Sequence, residues 1–412
     1  MTIRTVCVIG LGYIGLPTAA ILAKSGVDVI GVDINTRAVD MINQGSVHIV
    51  EPGLDAVVRD VVVKGRLRAN ANVEPADAFI IAVPTPFKGE NHEPDLSYIQ
   101  AASEALAGVL KRGDLVVLES TSPVGTTEKL AAWLADMRPD LTFPHQSSDN
   151  ADVCIAYCPE RVLPGKVLEE LISNDRIIGG LSDRCCVSAE QLYNLFVKGS
   201  CFSTNARTAE MAKLTENSFR DINIAFANEL SMICQELEID VWHLIDMANR
   251  HPRVNILQPG PGVGGHCIAV DPWFIVSKSP NEARLIRIAR EVNDFKPEWV
   301  LERINNAIDS IVGVGRPIVV CYGLAFKADI DDLRESPALE IASRVSERTD
   351  IELYIVEPNV DCLPPSLQSA HLVDIDCIPS NVDLHVLLVD HREFKVMERP
   401  QGFVVDTRGV WR

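Results

Sequence analysis

Thr5-Val-Cys-Val-Ile9-Gly10-Leu-Gly12-Tyr13-Ile14-Gly15 is the stretch on which the reading of the fold turns. Thr5 to Ile9 has the apolar character of a buried strand, and the apolar pattern that follows through Lys24 predicts a helix stopped by Gly26. A second strand, residues 27–32, ends in Asp33, 18 residues beyond Gly15. GxGxxG alone is a weak signal; between strand and helix, with an acid closing the next strand, it points firmly to dinucleotide binding. Gly10 makes the turn, Gly12 lets the backbone approach a pyrophosphate, Gly15 lets helix pack on strand, and the helix N-terminus attracts the anion. Asp33 can accept both ribose hydroxyls of NAD and would repel the 2′-phosphate of NADP. Gly10, Gly12, Tyr13, Ile14, Gly15 and Asp33 are therefore candidate NAD contacts.

Downstream, strand and helix signals keep alternating: strands at 79–83, 115–118, 153–157 and 176–178, with helices at 95–110 and from about Pro123. Such alternation predicts an α/β fold with a parallel, doubly wound sheet. In that architecture the loops at the carboxyl ends of strands line the ligand crevice. Those loops are Pro84-Thr85-Pro86, Glu119-Ser-Thr121-Ser-Pro123 and Pro159-Glu160-Arg161, which makes Thr85, Thr121, Glu160 and Arg161 site candidates by position. A helix cap or a solvated loop residue would read the same way.

From Asn205 to Leu237 the chain contains neither glycine nor proline, and apolar residues including Phe219, Phe226, Leu230, Ile233 and Leu237 recur near helical spacing. The implied helix is roughly 45–50 Å long. It overruns one compact domain and predicts a spine between domains that also forms a homodimer contact. Lys213 and Asn217 stand four apart on one face of it, although a lone lysine on a helix is ordinarily solvated surface.

A helix at 240–249 and Arg253 lead into Pro259-Gly-Pro-Gly-Val-Gly264-Gly-His-Cys267-Ile-Ala-Val-Asp271. Four glycines and two prolines in its first seven residues predict a loop whose backbone can lie against a ligand. Cys267 and Asp271 leave that loop as a candidate nucleophile and a candidate proton-handling group. A tight interdomain turn with an inert cysteine is the competing reading. Residues 281–311 are helical, with Pro297 marking a break or a new start. A second strand-turn-helix series begins at 317–322 and continues with strands at 351–356, 384–389 and 403–405. Its first turn carries Lys327 and Arg334 ahead of a helix capped by Ser336 with Pro337 at its first position, a set able to bind phosphate.

The 412 residues are 47% hydrophobic and 23% charged, enough for two or three domains with full cores. No basic leader or membrane-length apolar run is apparent, and 11 cysteines, an odd and scattered set, do not form a disulfide framework. A cytoplasmic protein with no membrane partner is expected. A net charge of -19 argues against nucleic acid. His266-Cys267, Cys154-x-x-x-Cys158 and Cys185-Cys186 lack the paired spacing of a zinc site, so no metal is assigned.

GLGYIGLP, ESTSPVGTT, PERVLPGK, EMAKLTEN, GPGVGGHCIAVDPW, GLAFKADIDDLRESPA and VVDTRGVWR occur in this order across essentially the whole chain. Together they resemble the UDP-sugar 6-dehydrogenase family, and most of all its branch acting on UDP-N-acetylmannosamine. The resemblance implies an N-terminal NAD-binding Rossmann domain at 1–204, a central helical dimerisation region at 205–311 and a UDP-binding Rossmann-like domain at 312–412. It implies oxidation of a sugar C6 alcohol to a carboxylate with two NAD⁺, with Cys267 as nucleophile and Lys213 and Asn217 handling the oxyanion. On the same basis Asp271 and Glu160 assist proton transfer and hydrolysis, and Thr121 positions water. Thr85, Thr121 and Arg334 join the cofactor contacts. Glu160, Arg161, Lys213, Asn217, Arg253, Gly264, Lys327 and Arg408 join the UDP-sugar contacts, with Arg253, or else Arg250, reaching across the dimer. The pair around His266 and Arg161 after Glu160 differ from the glucose-acting branch. The same chemistry on UDP-N-acetylglucosamine or UDP-glucose is the alternative. A two-electron hydroxyacid dehydrogenase would not need Cys267, and a nucleotide sensor would not need Lys213, Asn217 and Cys267 together.

Overall fold

Short apolar strands, buried on both faces, are what a parallel sheet covered by helices requires. The computed structural model, which describes residues 3–89, 92–265, 267–311 and 315–412, has two such sheets. His266 and the boundary expected at 312 lie outside the described residues. The chain divides into two units, Met1–Glu216 and Asn217–Arg412.

The first unit's strands are β1 (Thr5–Ile9), β2 (Asp28–Val32), β3 (Leu67–Asn70), β4 (Ala78–Ile81), the hairpin pair β5 (Phe87–Lys88) and β6 (Glu93–Pro94), β7 (Leu115–Leu118), β8 (Cys154–Tyr157), β9 (Arg176–Gly180) and β10 (Cys201–Asn205). Eight of them form one sheet in the order β10-β9-β8-β7-β4-β1-β2-β3. The order reverses between β1 and β4, so the crevice for a ligand opens beyond their carboxyl ends. The helix Gly15–Lys24 is buried from Gly15 through Ala23, and packs in the apolar cluster that holds Val6, Val8 and Ile80.

The expected all-parallel sheet needs one correction, because β9 runs antiparallel to β8. A parallel return needs a crossover that travels back along the strand. After β8 the connection contains only one helix, Val167–Ser173, whose seven residues cover about 10 Å, and β9 enters from the opposite end.

The second unit's sheet is parallel throughout: β11 (Ile318–Tyr322), β12 (Glu352–Val356), β13 (His371–Leu372), β14 (Leu384–Leu387) and β15 (Phe403–Asp406), in the order β13-β12-β11-β14-β15. Two long helices, Ala206–Glu236 with 31 residues and Arg284–Ile311 with 28, fill the middle of the chain. Pro297 neither breaks nor restarts the second of these. A proline in a helix interior forfeits one backbone hydrogen bond at a cost of about 3 kcal/mol. Here Lys296, Pro297, Val300 and Leu301 are all buried, and the proline ring lies against Gly262, so tertiary packing overrides the local cost.

Candidate active site

The loop after β1 has the geometry that its glycines demand. Gly10 has φ +93°, and a Cβ there would lie 2.5 Å from the Ala82 carbonyl oxygen; one on Gly15 would lie 1.8 Å from that of Gly10. Around Gly12, by contrast, nothing lies within 4 Å of a Cβ position, which leaves its backbone open to a ligand. Tyr13 and Ile14 complete the turn into the helix that starts at Gly15. Asp33 follows β2, and its two carboxylate oxygens accept hydrogen bonds from the Leu11 and Asn35 amides, each at 2.8 Å. A carboxylate has about four acceptor positions, so capacity remains for ribose hydroxyls. An open glycine, a helix N-terminus and an acid tied to the same loop fit a dinucleotide such as NAD.

The loops after β4 and β7 are joined: the Thr85 hydroxyl donates to the Thr121 carbonyl at 2.7 Å. Glu160, in the loop after β8, is 7% exposed and accepts from the Arg161 amide at 2.6 Å and from Arg176 at 2.7 Å. Arg176 is itself 1% exposed. Sequence reasoning passed over it, although an arginine opening a buried strand needs a counter-charge and in that respect announced one. The Arg161 guanidinium is engaged by Glu216 at 2.6 and 3.0 Å. Glu119, also passed over, is buried and accepts from Tyr193 (3.2 Å) and Thr18 (3.4 Å). Burial, reinforced by the Glu160 charge, pushes its carboxyl up to about 8.

Lys213 and Asn217 are buried one turn apart on the long helix Ala206–Glu236. In the second unit, the Asn217 amide donates to the Asp271 carboxylate. Asp271 is buried and begins the helix Asp271–Lys278, with Pro272 in its first turn. Cys267, exposed and outside any disulfide, lies four residues before it, and its carbonyl accepts from the Asp271 amide at 2.9 Å. Two candidates 54 positions apart are thereby brought into contact at the helix whose first amide bonds the Cys267 carbonyl.

The glycine-rich loop lies against the second unit's own side chains. A Cβ on Gly260 would meet Arg408 at 2.5 Å, and one on Gly264 would meet the Glu335 carbonyl at 2.5 Å and Pro337 at 2.7 Å. Beyond the carboxyl ends of β11, β14 and β15 opens a cavity of about 270 Å³, lined by Gly262, Phe326, Lys327, Pro337, Asp390 and Arg408 among others. Lys327 and Arg408, candidates from distant motifs, thus share one crevice. Arg408 is held by Asp390 at 2.6 Å. Burial works upward on that carboxyl, but Arg408 and Lys395 hold it below its ordinary range.

Arg334 is half-exposed and pairs with Asp332 at 2.6 Å, and Arg253 is exposed. Asp329, His391 and Glu393 offer ligand atoms close together, but the buried His391 already engages Glu357 at 3.1 Å and accepts from the Asp329 amide at 2.9 Å.

Family models match three consecutive segments, described as the NAD binding domain (residues 4–197), central domain (207–295) and UDP binding domain (320–412) of the UDP-glucose/GDP-mannose dehydrogenase family. The UDP-N-acetyl-D-mannosamine dehydrogenase of Escherichia coli K12 is 58% identical over the full length of both chains. An NDP-N-acetyl-D-galactosaminuronic acid dehydrogenase of Ralstonia nicotianae is 60% identical over 99% of this chain and 96% of its own. Among solved structures, the UDP-D-ManNAc dehydrogenase of Pyrococcus horikoshii superposes with a TM-score of 0.89 at 38% identity, covering 99% of this chain and 96% of that one. Fold, cofactor cradle and full-length relatives agree, and the chain belongs to the UDP-glucose/GDP-mannose dehydrogenase family of NAD-dependent oxidoreductases.

Proposed function

We propose that this enzyme oxidises the C6 alcohol of UDP-N-acetylmannosamine to the carboxylate, a four-electron reaction consuming two NAD⁺ and one water. The observation that carries the reading is the Asn217–Asp271 contact, made where the Asp271 amide bonds the Cys267 carbonyl: a covalent oxidation requires buried polar groups close to the nucleophile's segment, and a structural turn does not. NAD⁺, held by the loop from Gly10 to Gly15 and by Asp33, supplies the hydride acceptor. Cys267 as thiolate adds to the C6 aldehyde and retains the half-oxidised sugar as a thiohemiacetal. Loss of the second hydride leaves a thioester, which water cleaves to acid and thiol. Lys213 and Asn217 stabilise the oxygen anions, Asp271 and Glu160 move protons, and Thr121 positions the water. Thr85, Tyr13, Ile14 and Arg334 serve the cofactor.

Lys327 and Arg408, in the crevice beyond the second sheet, bind the UDP diphosphate, with Gly264 and Arg161 completing the substrate contacts. We assign the work to three parts, 1–204 for NAD, 205–311 for the thiol and the homodimer, and 312–412 for UDP. Arg253 reaches the partner's substrate. A cytoplasmic setting fits the eleven cysteines, all outside disulfides, and no described helix is long and apolar enough to cross a membrane.

The name of the Ralstonia relative favours a second reading, the same oxidation on an N-acetylgalactosamine nucleotide. Rates on UDP-N-acetylmannosamine, UDP-N-acetylgalactosamine, UDP-N-acetylglucosamine and UDP-glucose, measured side by side, test both. UDP-N-acetylmannosamine should be fastest; a faster galacto substrate moves the enzyme to the second reading, and no NADH from any of them defeats both.

A further inference from the structure

A second cavity of the second unit, about 90 Å³, lies between the helices Ala206–Glu236 and Arg284–Ile311 and the end of β15. Its lining sets Lys296 and Arg303 beside Asp240, Asp406 and apolar residues such as Ile239 and Val300. Lys296 is only 2% exposed, and among the described residues its ammonium donates one hydrogen bond, to the Ser231 hydroxyl at 2.6 Å. The Trp299 ring lies 3.7 Å from that ammonium and 4.9 Å from the guanidinium of Arg303. Trp242 also lines the cavity, and its indole packs on Gly409 with an N–H that finds no acceptor among the described residues. Two carboxylates also line the cavity, and both are occupied by turns: Asp240 accepts from the Trp242 and His243 amides, and Asp406 from those of Arg408, Gly409 and Trp411. Among the described residues neither forms an ion pair with Lys296 or Arg303. A buried ammonium and a guanidinium thus line one small space without a direct ion pair, although the Asp406 charge favours the Arg303 cation from a distance.

We propose that this cavity binds a small dianionic oxyanion of sulfate or phosphate size, held by Lys296 and Arg303. The volume excludes a nucleoside, so the site is separate from the nucleotide crevices and independent of the proposed reaction. Burial, with Arg303 adding repulsion, lowers the Lys296 ammonium to about 7. An anion selects the protonated lysine, so binding takes up a proton and is tighter at pH 6 than at pH 8.5; Asp240 and Asp406 oppose the anion equally at both.

Sulfate, which does not titrate in this range, is the probe. Calorimetry on the intact enzyme, with chloride matching the ionic strength, should show one saturable site per chain, with proton uptake between pH 7 and 8.5. Lys296→Met and Arg303→Gln should each weaken it roughly tenfold or more; the second keeps the comparison alive if the first fails to fold. Inorganic phosphate and methyl phosphate then separate a free ion, which alone would fit, from a phosphate ester, for which both bind. Sulfate is also excluded from protein surfaces and stabilises proteins in general. Non-saturable binding, or an equal response in wild type and Arg303→Gln, overturns the proposal.

Discussion

Cys267 needs only its sulfur to hold an aldehyde, whereas the groups that serve it come from elsewhere in the chain. Wild-type enzyme should release two NADH per sugar and no free aldehyde. Cys267→Ala should abolish acid formation while the first oxidation persists at reduced rate, because that step forms no bond to sulfur; near-normal acid output from the variant would defeat the covalent reading. Asn217→Ala should lower kcat roughly a hundredfold by removing a donor from the developing oxyanion, with little change in the substrate KM. Glu119 supplies a pH signature. Its folded-state carboxyl is pushed up to about 8 from the ordinary 4.5, so the stability it contributes is full below about 4.5 and lost as pH rises through about 8. Glu119→Gln, which cannot ionise, should therefore flatten the fall in Tm between pH 6 and 9, an effect on the order of a few kcal/mol. An unchanged slope would show that Glu119 is ionised throughout.

Among the elements, the glycine-rich loop is packed more closely than its composition announced. Its glycines predicted a backbone able to lie against a ligand; in the fold Pro261 and Gly262 line the crevice of Lys327 and Arg408, and the glycines also press on Arg408, Pro337 and Phe326. The loop is thus a packed joint whose position follows from the second sheet's first turn. Gly264→Ala would place a methyl 2.5 Å from the Glu335 carbonyl, a backbone atom that cannot swing aside. The expected cost is about 1–3 kcal/mol, seen as a lower Tm together with a raised KM for the UDP-sugar. A Tm unaltered by the substitution would mean that the loop shifts freely. The helix Arg284–Ile311 teaches the same lesson, since Pro297 was legible as a local breaker while its packing against Gly262 was not.

For the whole molecule, the long helix Ala206–Glu236 leaves Phe219, Phe226 and Ile233 exposed by 66%, 51% and 45%, and Leu237, just past its end, by 60%, at spacings of seven, seven and four. Those intervals return to one helical face. A second copy of the chain is the occupant we assign to it, and Phe226→Glu should convert the dimer to monomer in sedimentation. The same variant should lose activity if Arg253 completes the partner's site. An active wild-type monomer at assay concentrations would remove both expectations.

The sequence alone was enough for the α/β class, the strand–GxGxxG–helix unit with Asp33 and the uninterrupted long helix, because each rests on periodicity or backbone freedom acting within a few tens of residues. Lys327 and Arg408 were nameable from their motifs, but their shared crevice was not. Only tertiary structure decided that β9 runs against β8, that Arg176 neutralises Glu160, that Asn217 meets Asp271, and that Lys296 lies buried over Trp299. A buried charge or amide is stabilised by whichever partner the packing delivers. That partner stands on another element, at a separation to which local pattern is blind.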